Sequence, residues 1–209
     1  RPGQALGSQL RALSNENITA FEADHIASLT TAQVAALAAG QAAAIDPADL
    51  AAMGTAARAA LGTAAVNALS TAQLDALDGT QMSKLGTAQV AALNTEQVAS
   101  LEAYKLASLT SLQYQALTTA QIAAITTTQA EALETADVAA LGTHQLRALG
   151  AEQIAMLTVD AVQALTTNQI VALTTAQVAA LTPTQLSGME VADVGALTSV
   201  QVGVLSTEQ

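Results

Sequence analysis

The sequence predicts an all-α protein, a solenoid or superhelix of very short helices with one helix in each eight-residue repeat. Three observations predict this fold. The repeat runs without insertion or deletion from Ser14 to Leu205, as TTAQVAAL at 30–37 and again at 174–181. Its apolar residues are three apart, on one face of a helix but on opposite faces of a strand. Residues typical of helix starts precede each apolar pair.

The repeat accounts for almost the whole chain. Twenty-four complete repeats, here called octads, fill residues 14–205, a degenerate octad precedes them at 6–13, and a truncated one follows at 206–209. A strict short period is typical of proteins in which each unit stacks on its neighbours. We therefore expect residues 1–209 to form a single elongated array, and we interpret the chain as a segment of a longer repeat protein.

The apolar pattern requires the helix to break in every octad. With octad positions numbered 1 to 8, position 8 is apolar throughout, and position 5 is Val, Ile, Leu, Met or Tyr except at Ala42, Arg58 and Ala130. Eight residues advance a continuous helix by about 800°, so its apolar stripe would rotate by about 80° in each octad. Known supercoils do not absorb that period. The helix must therefore stop and restart once per octad.

The break has its own sequence signature. Position 1 is Ser, Thr, Asp, Asn or Gly in nineteen octads, and position 4 is Gln in fifteen. These residues form a capping box, in which the position-1 side chain accepts from the position-4 N–H and the Gln side chain accepts from the position-1 N–H. Pro47 and Pro183 fall at position 2, the first helical residue, where proline is favoured. We predict a helix over positions 2 to 7 or 8.

A helix of this length is not stable alone, because isolated helices need about 12–15 residues in water. Stability must therefore come from stacking between octads. Position 7 is small almost throughout, mostly Ala. We expect this small residue to let neighbouring backbones approach closely.

Composition excludes several classes of partner. The net charge is −11 with six Lys and Arg residues, which argues against nucleic acids and anionic membrane surfaces because phosphate groups need basic side chains. Polar residues interrupt every octad, so no stretch of about 18 apolar residues could insert into a membrane. Cysteine is absent, so no disulfide is expected.

The repeat offers no chemistry for catalysis, and we predict that the protein is not an enzyme. His25 and His144 are distant in the sequence and occupy different octad positions. The acidic residues scatter over several positions, whereas a calcium array needs carboxylates at one fixed position. We therefore predict no catalytic, cofactor-binding or metal-binding residues and no cofactor.

A few residues depart from the pattern. Arg58 occupies an apolar position, and we interpret its stem as packed and its guanidinium as reaching solvent; the alternative is an arginine facing a partner. Tyr104, Lys105 and Tyr114 are either local packing variation or a small recognition patch. Asn17-Ile18-Thr19 matches a glycosylation sequon.

The unit T-x-x-Q-[VIL]-x-A-L, carried by residues 14–205 and clearest at 86–101, 118–125 and 166–181, resembles a known class of repeats. It is similar to the tandem short repeats of very large secreted or surface-exposed bacterial proteins, including adhesin-like ones. The resemblance implies an extracellular or cell-surface location. It also implies a role in a stalk, fibre or surface layer.

Three functions are compatible with these observations. The first is a structural segment, a rod, stalk, fibre or surface layer, that associates with itself or with neighbouring repeats. The first alternative is an ice- or surface-binding module, because Thr recurs at position 2 and could form a regular ladder. The second alternative is a protein-binding solenoid. Such solenoids usually vary exposed positions to read a ligand, and here we expect the exposed residues to be mostly Ala, Thr and Gln.

Overall fold

The computed structural model describes residues 9–209, which form two compact units, the first ending at Leu101 and the second spanning Glu102–Gln209. Residues 6–8 of the predicted degenerate octad lie outside the described residues. The expectation of a single elongated array concerns how the two units are arranged, and it stays a prediction.

The first unit contains eleven helices with both ends among the described residues. They are α1 (Asn15–Thr19), α2 (Ala23–Ala27), α3 (Thr31–Ala35), α4 (Ala39–Ala43), α5 (Pro47–Ala52), α6 (Thr55–Ala59), α7 (Thr63–Asn67), α8 (Thr71–Asp75), α9 (Gly79–Met82), α10 (Thr87–Ala92) and α11 (Thr95–Ser100).

The second unit contains thirteen helices, each again within one octad. They are α12 (Ala103–Ala107), α13 (Ser111–Ala116), α14 (Thr119–Ala123), α15 (Thr127–Glu131), α16 (Thr135–Ala140), α17 (Thr143–Ala148), α18 (Ala151–Met156), α19 (Val159–Gln163), α20 (Thr167–Ala172), α21 (Thr175–Ala180), α22 (Pro183–Gly188), α23 (Val191–Ala196) and α24 (Ser199–Val202).

These bounds confirm one helix per octad, its start at position 2 and, for part of the helices, its end at position 7, whereas the predicted alternative end at position 8 is wrong. Every helix starts at position 2 and ends at position 5, 6 or 7, so none reaches position 8. No strand occurs among residues 9–209. Pro47 and Pro183 are first helical residues, as predicted.

The joint between helices is a pair of extended residues. Leu181 at position 8 has φ −59° and ψ 131°, and Thr182 at position 1 has φ −72° and ψ 155°. No described residue has a positive φ. The joint therefore does not need glycine, which explains why Ser, Thr, Asp and Asn can alternate with Gly at position 1.

The side chains at positions 5 and 8 form the core. In the octad 174–181, Val178 is fully buried and Leu181 is 2% exposed, whereas Thr175 and Ala179 are exposed. The apolar face predicted from the three-residue spacing is thereby confirmed.

Within each unit, stacking joins octads that are three or four apart. Helix α4 contacts α7 in the first unit, and α18 contacts α21 in the second. Hydrogen bonds from side chains to the backbone of an adjacent turn span 25, 28 or 31 residues. Each turn therefore takes between three and four octads. This repeated arrangement of single helices confirms the predicted α-solenoid within each unit.

The octad 110–117 provides a matched test of the core assignment. Leu117 at position 8 is 3% exposed, and Leu112 at position 3 is 68% exposed. We expect Leu117→Ala to reduce the free energy of unfolding by about 2–3 kcal/mol, since it removes buried methyl groups and leaves a cavity. Leu112→Ala, the same chemical change, should cost less than about 0.5 kcal/mol. Equal losses in guanidinium melts would contradict the assignment.

Candidate functional site

The predicted capping box is present, and Gln177 shows its geometry. The Thr174 N–H donates to Gln177 Oε1 at 2.8 Å, and the Gln177 N–H donates to Thr174 Oγ1 at 3.2 Å. Two of the N–H groups that a helix start leaves without partners are thereby satisfied. Gln177 is only 2% exposed, so this cap lies inside the solenoid.

The same side chain makes a second contact. Its Nε2 group donates to the carbonyl oxygens of Leu146 at 2.7 Å and Leu149 at 2.8 Å. These residues occupy positions 5 and 8 of the octad four repeats earlier, at the end of its helix, where the Leu146 carbonyl also accepts from the Leu149 N–H at 3.2 Å. We call this pair of bonds the glutamine bridge. It fixes the start of one helix to the end of another on the adjacent turn.

The glutamine bridge recurs through both units with the same 31- and 28-residue separations. It is made by Gln41, Gln73, Gln89 and Gln97 in the first unit and by Gln145, Gln169, Gln177, Gln185 and Gln201 in the second.

The expectation that Gln belongs to the exposed surface is therefore wrong for position 4. The glutamine side-chain amide can both accept and donate hydrogen bonds. Its oxygen accepts from the N–H at the start of one helix, and its nitrogen donates to two carbonyl oxygens at the end of another. A signal for this role is present in the sequence. Glu serves a capping box as well as Gln does, yet none of the twenty-four octads has Glu at position 4. A carboxylate has no hydrogen to donate to the two carbonyls.

Arg58 also lies inside the first unit. Its stem is packed as expected, but the expectation that its guanidinium reaches solvent is wrong, as is the alternative of an arginine facing a partner. It is 4% exposed, and its Nη1 group donates to the carbonyl oxygens of Met53 at 2.7 Å and Ala51 at 3.0 Å. Burial lowers the pKa of the guanidinium, and the charge of Asp78 opposes that shift. The side chain neither reaches solvent nor faces a partner, because backbone carbonyls bind its guanidinium.

Tyr104, Lys105 and Tyr114 do not form a surface patch. Tyr104 is 55% exposed, but Lys105 is 1% exposed and Tyr114 is fully buried. Lys105 Nζ lies 3.9 Å from a carboxylate oxygen of Glu102 and 5.7 Å from the centre of the Tyr104 ring. The alternative of local packing variation describes these residues better than a recognition patch.

Tyr114 takes part in a variant of the glutamine bridge. Its hydroxyl donates to the carbonyl oxygen of Leu106 at 2.9 Å, an acceptor that lies 31 residues before Asp137. Asp137 occupies position 4 of the octad 134–141, where its carboxylate accepts from the Glu134 N–H at 3.0 Å. The carboxylate thus keeps the capping half of the glutamine role, and the tyrosine supplies a donor to the carbonyl.

His25 belongs to the first unit and His144 to the second. His25 Nδ1 accepts from the Glu22 N–H at 3.3 Å and so performs the capping half of the glutamine role, whereas His144 is exposed on another helix. Across residues 9–209, no three His, Cys, Asp or Glu side chains are grouped so that they could hold a metal ion. In the same range no helix has the length and apolar character needed to cross a membrane.

Comparison with known families agrees with this repeat. Three segments of the chain, residues 42–79, 130–167 and 162–191, match the family model of the ALTTAQ repeat. Together they span 42–79 and 130–191, which is 100 of the 209 residues. The six letters themselves occur at 116–121 and 172–177, where they cover positions 7 and 8 of one octad and positions 1 to 4 of the next. That stretch contains the extended joint and the bridging glutamine.

A search of curated proteins found no match. The tandem matches and the recurring glutamine bridge lead to the same conclusion: the chain is a repeat protein built from octads similar to the ALTTAQ repeat.

Proposed function

We propose that the chain is a structural repeat segment, a rod, stalk, fibre or surface layer, of an extracellular bacterial protein. The observation that carries this proposal is the glutamine bridge, repeated through both units with the same spacing. Each bridge joins adjacent turns through backbone carbonyls. The hydrogen bonds between turns therefore depend on the eight-residue register of the chain. Substitutions at the exposed positions leave these hydrogen bonds in place.

The distribution of variation between octads supports a structural role. Positions 5 and 8 are mostly buried and almost always apolar, and position 4 is mostly buried and is Gln in fifteen octads. The exposed positions 2, 3 and 6 carry mainly small or hydroxyl side chains. A binding surface would be expected to concentrate large aromatic or Arg side chains. We therefore propose a role without catalysis, and we rank a protein-binding solenoid below the structural function.

The Thr residues at position 2 are exposed, which is the feature that an ice-binding ladder would need. However, a turn takes between three and four octads. Equivalent threonines on successive turns are therefore not directly above one another and do not form a regular ladder. Position-1 threonines are engaged in capping, as at Thr174 and Thr182. We rank this alternative below the structural role as well.

The proposed partners are further repeats, either from the same molecule or from another copy. The excess of acidic residues argues against nucleic acids and anionic membranes as partners. The extracellular or cell-surface location rests on the resemblance to the repeats of large surface-exposed bacterial proteins.

Small-angle scattering of the 209-residue chain tests the structural proposal. We expect the profile of an elongated particle, since a solenoid grows along one axis as octads are added. A profile typical of an ordinary globular domain of this mass would contradict the proposal. Location is tested separately, by whether an external protease digests the protein on intact cells of the source bacterium. Protection until the cells are lysed would contradict the surface location.

A further inference from the structure

Three successive octads of the first unit, residues 46–69, have no glutamine at position 4. The position is filled by Asp49, Ala57 and Ala65. With the 31- and 28-residue spacing of the glutamine bridge, the acceptors of these residues would be the position-5 and position-8 carbonyls of the octads in 14–37. Alanine has no polar side-chain atom, and a carboxylate has no hydrogen to donate. No glutamine bridge therefore joins residues 46–69 to residues 14–37, and we call the boundary between them the seam.

The chain on either side of residues 14–37 is bridged. Gln41 donates to the carbonyl oxygens of Leu10 at 2.7 Å and Leu13 at 2.9 Å. This bridge joins the residues just before 14–37 to the octad just after them. Residues 14–37 are therefore three octads whose two ends are held together.

Few other hydrogen bonds hold these three octads in place. Within the part of the chain that the structure describes, two side-chain hydrogen bonds join residues 14–37 to other octads. Thr19 Oγ1 donates to the Ala44 carbonyl oxygen at 3.2 Å, and Arg11 Nε donates to the Ala36 carbonyl oxygen at 2.8 Å. Both bonds are exposed, where water competes for the same groups, and neither crosses the seam.

The apolar packing of residues 14–37 is also less complete than elsewhere. Helices α2 and α3 lie against α5 and α6 across the seam. At position 8, however, Phe21 and Leu29 are only half-buried, whereas every position-8 residue from Leu37 to Met189 is buried. Such residues contribute less to stability, because the contribution scales with the apolar area removed from water.

We propose that residues 14–37 form a strap that opens as one cooperative unit while the rest of the first unit stays folded. The Gln41 bridge holds both ends, so the strap opens without separating the octads that precede and follow it. Opening exposes Ile18, Ile26 and Val34, which are at most 2% exposed in the closed form. Such local opening requires less free energy than unfolding of the whole unit.

Labelling of an introduced thiol measures the opening. The chain has no cysteine, so Val34→Cys and Val90→Cys each introduce a single thiol. Both valines are fully buried at position 5, but Val34 lies in the strap and Val90 lies in an octad whose Gln89 makes the glutamine bridge. Since each missing hydrogen bond changes the opening constant by about 2–10-fold, Val34→Cys should react with a thiol reagent at least about 100-fold faster than Val90→Cys. Equal rates would overturn the proposal.

A variant that restores one bridge can be designed at Ala65. Ala65→Gln changes GTAAVNAL to GTAQVNAL, which differs from the bridged octad GTAQVAAL at 86–93 only at position 6. The space for the amide oxygen is open. A Cβ atom built on Gly62 meets no atom within 4 Å, whereas one built on Gly86 lies 3.6 Å from Gln89 Oε1.

The new amide should donate to the carbonyl oxygens of Val34 and Leu37. We expect Ala65→Gln to slow the labelling of Val34→Cys by about 10-fold and to leave that of Val90→Cys unchanged. Ala64→Gln is the matched control, because it makes the same change at the exposed position 3 and should slow neither. If Ala65→Gln folds and Val34→Cys still reacts at its original rate, the missing bridges do not control the opening and the proposal is wrong.

Hydrogen exchange of the parent chain gives a result that needs no substitution. The Val34 N–H donates to the Thr30 carbonyl oxygen at 2.9 Å and the Val90 N–H to that of Gly86 at 3.0 Å, so equivalent amides can be compared. The bonded amides of α1, α2 and α3 should share one opening constant, at least about 100-fold above that of α10. Equal protection of the two groups, or protection that changes gradually from α1 to α3, would contradict a cooperative strap.

Discussion

Replacing Gln177 with Glu should destabilise the second unit by about 4 kcal/mol or more, one of the largest effects expected of any single change in the chain. The carboxylate keeps an oxygen for the Thr174 N–H but loses both donor bonds to Leu146 and Leu149. The Leu149 carbonyl then loses its side-chain donor, at about 1–3 kcal/mol, and the Leu146 carbonyl keeps only the Leu149 N–H. A charge is also left at a site that is 2% exposed. Guanidinium melts at pH 7 measure the loss.

Gln115→Glu is the matched control, because it makes the same chemical change at the exposed position 6. It should cost less than about 0.5 kcal/mol. The Gln177→Glu loss should also shrink in acid, since a protonated carboxyl regains one donor. If Gln177→Glu melts like the parent at pH 7, then capping alone accounts for the glutamine, and the bridge contributes nothing to stability.

Proline should be tolerated at Thr119 and rejected at Ala123, four residues further along α14. Thr119 is the first helical residue, where the missing N–H is not needed, and Thr118 before it has the extended conformation, φ −73° and ψ 159°, that a following proline requires. At Ala123 the ring would clash with the preceding helical turn, and Ile122 would be forced from its helical conformation. We expect a cost of about 3 kcal/mol or more there.

Thermal melts of Thr119→Pro, Ala123→Pro and the parent compare the two sites directly. Thr119→Pro should leave the melting temperature unchanged or slightly higher, because proline restricts the unfolded chain. The natural Pro47 and Pro183 already occupy the equivalent site. Equal losses at the two sites would contradict the helix bounds, since a continuous helix would reject both prolines.

The local features of the fold could be predicted because they depend on residues within one octad. The three-residue spacing of Val178 and Leu181 sets a helical face, and Thr174 with Gln177 marks the helix start. Both features concern neighbours along the chain, for which propensity and capping rules exist. The end of the helix does not follow from the sequence, because position 8 is apolar whether it closes a helical turn or lies extended in the core.

The contacts between turns could not be predicted in the same way. A period of eight residues does not specify how many octads complete a turn. The sequence therefore does not identify the carbonyls that accept from Gln177. Without those acceptors, the sequence pattern indicates only a surface glutamine that caps its own helix. The sequence likewise does not reveal what the Arg58 guanidinium and the Tyr114 hydroxyl bind. Their hydrogen-bond partners, Met53 and Leu106, lie in preceding octads and are backbone atoms that no side-chain pattern reveals.

The glutamine bridge binds to peptide groups, which every octad presents identically. Deleting or duplicating a whole octad would therefore give each position-4 glutamine a new pair of carbonyls with the same geometry as the old pair. An insertion whose length is not a multiple of eight residues would place these glutamines out of register with their acceptors on the preceding turn. Such a gene could gain or lose 24-nucleotide units by replication slippage with little structural penalty. Repeat number is then a property that selection can adjust separately from the sequence of the repeat.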